Sequence, residues 1–424
     1  MTSRSIDQPN AASIGTDDRS GMKPFGRHAL ANANAFAIAV VIAMCAFVGM
    51  RAGKARVRNE DAGDARAWMS NARDVALGAL VIPGTHDSAT HYLGRELQRG
   101  SETQVPPWVA TAVRVAEALR IPADALVRRW AKAQTATTGE QLASGVRFLD
   151  IRAGWDGENW RVHHALTGQS VDEVMEEVKT FATSEDGRSE IVLVEISHFL
   201  GDPTEDDVER LAVMIEEVFG NLTARYRGGG ARALFERTVG DMVDAGDRIV
   251  VLFEDADVGK RHGFWPLETI TNTYANTDDY HRMETFNREV VSAFNDVNYE
   301  PNVALLKLSW TLTTQAQTVI KGLNFLENNP HSLLELAEWK ANGHLSAFAD
   351  EATASQCSIG NIIVVDDLQH SDVVRVALKL NAVGMFPKGE CKWVDPSIST
   401  VQDPSISTVQ EILRGDDDSF VPQA

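Results

Sequence analysis

The sequence predicts an α/β fold, a distorted TIM-type (β/α) barrel preceded by an N-terminal hydrophobic helix. Three observations predict it. Short apolar, β-rich runs recur at Leu77–Ile82, Val146–Ile151, Ile191–Ile196, Arg248–Phe253, Val303–Leu308 and Ile362–Val365. Continuous apolar runs of this length suit strands buried on both faces. Amphipathic segments lie between them, and strands alternating with helices point to a barrel built from parallel strands. Finally, no residue from Ala29 to Met50 is charged.

In chain order, residues 1–28 are polar, rich in Ser, Asp, Asn and Gly, and read as a disordered leader. The run 29–50 is about long enough to cross a bilayer, which takes roughly 20 residues. Lys23 and Arg27 precede it; Arg51, Lys54, Arg56 and Arg58 follow. We therefore expect a single-pass anchor and a membrane location, with a cleaved signal peptide and secretion as the alternative. The slight excess of positive charge after the run favours a cytoplasmic body. The expected catalytic body spans 61–383. Within it Ser170-Val171-Asp172-Glu173 reads as a capping box, and Val171, Val174, Met175, Val178 and Phe181 form one helical stripe. Val208, Leu211, Ile215 and Val218 form a second. Residues 384–424 read as a disordered tail in which DPSISTVQ (395–402) is repeated unchanged at 403–410. Two copies of so short a unit cannot make a solenoid.

The 424 residues carry a formal net charge of −20. That balance argues against nucleic acid as a partner, because phosphate backbones need a basic face. Three cysteines are too few for a disulfide framework. Cys45 lies in the apolar run, and Cys357 and Cys391 read as two free thiols rather than a pair.

Four short segments carry chemistry. In Ile82-Pro83-Gly84-Thr85-His86-Asp87-Ser88, Pro and Gly are expected to end a strand and leave His86 and Asp87 at the C-terminal mouth of the barrel, where such barrels hold their active sites. In Val146–Arg152, alternation puts Asp150 and Arg152 on one face. They form either a structural ion pair or, through the planar fork of Arg152, a phosphate grip. His163-His164 follows the run Asn159–Val162, and adjacent strand residues point apart, so one imidazole can face the mouth. Asp366-Asp367 closes the run Ile362–Val365, where Asp366 can orient a histidine.

In this order, each at a strand end, the segments resemble the X domain of phosphatidylinositol-specific phospholipases C. The chain is most similar to the small proteins with that domain alone. The resemblance covers about Leu77 to Asn381. It rests on IPGTHDSAT (82–90), the Trp130…Gln134 segment, EQLASGVRFLDIR (140–152), the His-His pair, EIVLVEISHF (190–199) and NIIVVDDLQHSDVV (361–374). It implies a phosphodiesterase cleaving the glycerol–phosphate bond of a phospholipid without a cofactor or metal. His86 would be the general base and Asp366 the carboxylate that orients it. Arg152 would grip the phosphate, His164 would be the general acid, and Asp87 would support that acid. Trp310 would either line the headgroup pocket or pack within the fold.

Two departures from the pattern stand out. Ala165 occupies the place where the family usually has Gly. Ser197 stands where bacterial members carry a lysine, and Ile196 and Ser197 replace carboxylates of the calcium-dependent branch. Asp150 and Glu195 keep a calcium site in play. His198 reads as a satisfied rim histidine and His91 as a loop residue. Another lipid phosphodiesterase on the same barrel, or a catalytically silent barrel that binds headgroups or a protein, are the alternatives.

Overall fold

The computed structural model describes residues 65–101, 122–297, 304–323 and 327–393. Among the described residues eleven strands form one sheet. They are β1 (Ile82–Thr85), β2 (Leu93–Leu97), β3 (Phe148–Trp155), β4 (Trp160–His164), β5 (Leu166–Ser170), β6 (Val192–Leu200), β7 (Ile249–Phe253), β8 (Trp265–Pro266), β9 (Ile270–Thr273), β10 (Leu305–Trp310) and β11 (Ile362–Val365). The parallel strands follow the order β8-β7-β6-β3-β1-β11-β10-β9. An antiparallel arm, β4-β5-β2, grows from β3.

The fold is thus mixed α/β with strands in barrel order, and the expected distorted TIM-type barrel is met in part: the sheet does not close, because β8 and β9 are not paired. The cause is local. β8 has two residues, and one of them, Pro266, has no N–H to donate. A 3₁₀ turn at Leu267–Thr269 then carries the chain to β9.

Alternation along the strands sorts two apolar layers. Phe148, Leu193, Val250, Leu252, Leu305, Ile362 and Val364 pack with one another on one face. Leu149, Ile151, Val194, Val251, Leu306, Ile363 and Val365 pack on the other, against the helix stripes of Val174, Val178, Leu211 and Ile215. Both predicted stripes form helices, Val171–Thr183 and Glu205–Phe219. The capping box lies on the second of them, at Thr204 and Asp207; Ser170 makes no side-chain cap.

Strand limits shift from those read in the sequence. Leu77–Ala79 is a 3₁₀ turn, and Pro83 and Gly84 lie inside β1 rather than ending it. A Cβ on Gly84 would come within 3.0 Å of Phe148 and Val364, so glycine lets β1 sit close between β3 and β11. The turn at Asp156-Gly157 joins β3 to β4, with Gly157 at φ +108°.

The membrane location is corrected. Among the described residues no helix is long and apolar enough to cross a membrane. The longest, such as Glu205–Phe219 with 15 residues, rise about 1.5 Å per residue and fall short of a hydrocarbon core of about 30 Å. The run 29–50, the leader 1–28 and the duplicated octapeptide lie outside the described residues. The reading of two free thiols is also corrected: Cys357 and Cys391 form a disulfide. It ties down residues 384–393, which the sequence assigned to the tail. There Phe386 N–H donates to Ser358 Oγ, and Trp393 packs on Phe348.

Candidate active site

The site sits at the C-terminal ends of β1, β3 and β11, with one residue from the end of β4. The His86 turn is sewn to its neighbours before it does any chemistry. Ser88 N–H donates to Asp150 O, and Asp150 N–H to Ser88 Oγ, both at 2.8 Å. Gln141 accepts from Thr85 Oγ1 and donates to Ser88 O. Gln134 donates to His86 O at 3.0 Å and to Val365 O at 2.8 Å, and accepts from Leu368 N–H. That glutamine fixes the ends of β1 and β11 side by side, which brings His86 to Asp366.

His86 Nδ1–H donates to Asp366 Oδ1 at 2.9 Å, and Nε2 faces Arg152 Nη2 at 2.8 Å. Arg152 Nε lies 2.7 Å from Asp87 Oδ1, and Asp150 Oδ2 is 3.8 Å from Nη2. Asp87 Oδ2 is 3.5 Å from His86 Nδ1 and 3.3 Å from His164 Nδ1. Both imidazoles therefore flank one buried carboxylate. His164 Nδ1–H donates to Ala131 O at 2.6 Å, which leaves its Nε2 as the nitrogen able to carry a transferable proton. The three groups suited to meet a ligand keep some exposure (side chains His86 23%, His164 28%, Arg152 19%), while Asp87 and Asp366 beneath them are closed to solvent.

The charges explain one another. Burial opposes a charged His86, but the carboxylates of Asp87 and Asp366 outweigh it and raise its pKa to about 9. The contact with Arg152 works the other way. Two N–H donors cannot share a 2.8 Å contact, so Arg152 Nη2 meets a neutral His86; protonating Nε2 must displace the guanidinium. The two descriptions are the two protonation states of one site. Burial opposes a charged Asp87 as well, yet Arg152, His164 and His86 hold its carboxyl well below the usual range. Asp150 is likewise lowered against its burial, chiefly by Arg152.

His163 points away from the mouth, as adjacent strand residues must. Its Nε2 pairs with His198 O, and burial pushes it down to about 4. His198 is held at φ +58° with Nδ1 against Ser197 Oγ, and burial pushes it down to about 3. Asp87 and Ala165 also adopt left-handed backbone, at φ +46° and +57°. Non-glycine residues there store strain, and such strain clusters at functional sites. Trp310 is fully buried, its indole N–H donates to Ala341 O and its ring packs on Phe348, so it offers no face to a ligand. Donor atoms able to hold a metal gather in His86, Asp87 and Asp150, and in Asp150, Glu195 and His198. Two cations already occupy this neighbourhood, Arg152 and Lys307, the latter 2.7 Å from Glu195. Lys307 went unread in the sequence, although a charge inside an apolar run was the signal.

No protein-family profile matches the chain. Curated relatives do. It is 26% identical over 334 residues to PI-PLC X domain-containing protein 3 of Homo sapiens, covering 76% of this chain and 95% of that one. It is 25% identical to PI-PLC X domain-containing protein 2 of Mus musculus, covering 60% and 72%. To PI-PLC X domain-containing protein 1 of Homo sapiens it is 28% identical, covering 50% and 62%. Among solved structures, it is similar to the phosphatidylinositol-specific phospholipase C of Listeria monocytogenes at a TM-score of 0.49 and 17% identity, covering 74% and 98%. The chain therefore resembles the proteins built on a PI-PLC X domain across most of its length.

Proposed function

We propose that the chain is a phosphodiesterase of the phosphatidylinositol phospholipase C type, cleaving the glycerol–phosphate bond of a phospholipid. One observation carries the reading: His86, backed by Asp366, and His164, backed by Ala131 O, flank the Asp87–Arg152 pair, with His86 Nε2 turned to Arg152 Nη2 and 4.0 Å from Asp150 Oδ2. In-line attack on phosphorus needs a base on one side, an acid on the other and a cation at the non-bridging oxygens. Arg152 leaves His86 Nε2 for the phosphate. The freed nitrogen takes the proton of the inositol 2-hydroxyl, whose oxygen attacks phosphorus. The glycerol oxygen departs with the proton of His164. The first product is a cyclic phosphodiester, and no cofactor enters the step. Asp366 holds the base by its Nδ1, and Asp87 supports the charge on His164.

A second reading, a silent barrel that binds phosphorylated headgroups, draws on Ala165 alone, which is strained at φ +57° beside His164. Turnover separates the two. Vesicles of phosphatidylinositol should release diacylglycerol with the wild-type chain and not with His164→Ala. Equal, background-level release from both would leave the binding reading standing and remove the catalytic one.

A further inference from the structure

The layer beneath the phosphate grip holds a buried ion pair that the acid–base scheme does not use. Lys307 on β10 is 3% exposed and Glu195 on β6 is fully buried, with Nζ 2.7 Å from Oε2. Strands β3, β1 and β11 separate β6 from β10 along the sheet. The contact is therefore not between neighbouring strands; it spans the sheet face that carries Phe148, whose ring lies 5.5 Å from Nζ. Glu195 stands level with Asp150 in the β3–β6 register, and Arg152 level with Ser197 one step toward the mouth. Asp150 and Glu195 are thus two carboxylates side by side, one step below the Arg152–Ser197 level.

Their charges compete for the Arg152 guanidinium. Burial raises the Glu195 pKa, and Lys307 pulls it back down. Lys307 also helps lower Asp150. Were the ammonium absent, buried carboxylates would have to take up a proton or recruit the nearest guanidinium. The Arg152–Asp150 contact is loose at 3.8 Å and has room to close. An Arg152 drawn down onto that pair is withdrawn from an incoming phosphate.

We infer that Lys307 is a positioning residue for the phosphate grip: by neutralising Glu195 from a non-neighbouring strand, it leaves Arg152 free to bind a phosphodiester. The inference rests on the reading of Arg152 as that grip. It separates from catalysis, because binding of inorganic phosphate needs no turnover.

The test measures inorganic phosphate affinity by calorimetry at pH 7 for the folded full-length chain and three variants. Lys307→Met should weaken binding at least tenfold. Glu195→Gln alone should tighten it severalfold, since Lys307 then adds uncompensated positive charge. The double variant, with neutral groups of similar shape, should return to within about threefold of wild type. A merely structural pair would not reverse sign between the two single variants. Should Lys307→Met not fold, Glu195→Gln decides: unchanged or weaker binding overturns the inference. Wild-type phosphate binding with all variants unchanged overturns it too. A wild-type chain that binds no phosphate overturns the Arg152 reading together with it.

Discussion

At the scale of single residues, the two carboxylates around His86 set a pH signature. A general base works unprotonated, and His86 is raised to about 9 in the ligand-free chain. The neutral fraction therefore falls about tenfold per pH unit below 9, so kcat/KM should climb through neutrality and level off near 9. Asp366→Asn removes one raising charge and should move the limb toward the ordinary histidine value near 6.5; a limb that stays put would detach Asp366 from His86. Arg152→Ala should cost about 3 kcal/mol of transition-state stabilisation, on the order of 10²–10³ in kcat, as for other preorganised charge donors. Ala165 offers a contrast. Its left-handed backbone costs an L residue roughly 1–2 kcal/mol, part of which glycine returns to the unfolded chain. In denaturant titration Ala165→Gly should be neutral or more stable by up to about 1 kcal/mol, whereas a β-branched substitution there should destabilise.

At the scale of elements, legibility followed chemistry that is local in sequence. The β11 run Ile362–Val365 coincided with its strand, and Asp366 was read at its end because a carboxylate directly after four apolar residues marks where a buried strand stops. The β1 limits differ from the reading: Pro83 and Gly84 look like terminators, but both lie inside the strand, and Gly84 there lets β1 approach Phe148 and Val364 closely, a property of β3 and β11. The Lys307–Glu195 pair links elements 112 residues apart and left no local spacing to read. The same holds for the disulfide. Cys357 and Cys391 are separated by 34 residues in sequence and adjacent only once the segment after the helix Val373–Val383 folds back. A loop of that length is worth about 3–4 kcal/mol in the chain-entropy account, less if the unfolded chain retains structure. Reduction, or Cys391→Ala, should lower stability in urea by up to that amount while leaving the His86–Asp366 contact intact. A reduced chain of unchanged stability would mean the strap contributes nothing.

At the scale of the whole molecule, parallel strands in barrel order bring together His86 after β1, Arg152 on β3 and Asp366 after β11, and the antiparallel β4 adds His164. Arg152 and Lys307 supply fixed positive charge where carboxylates and histidines could otherwise gather a metal ion. Hydrolysis should therefore persist in excess chelator. The charges of the site and the order of its residues support one reaction course, in which the substrate's own hydroxyl is the nucleophile. The most direct measurement is phosphorus NMR of the wild-type chain acting on phosphatidylinositol in EDTA. The resonance of a five-membered cyclic phosphodiester should appear as the first product, and should be absent with His86→Ala. A linear phosphomonoester formed first, or turnover that stops in EDTA and resumes with calcium, would contradict that course.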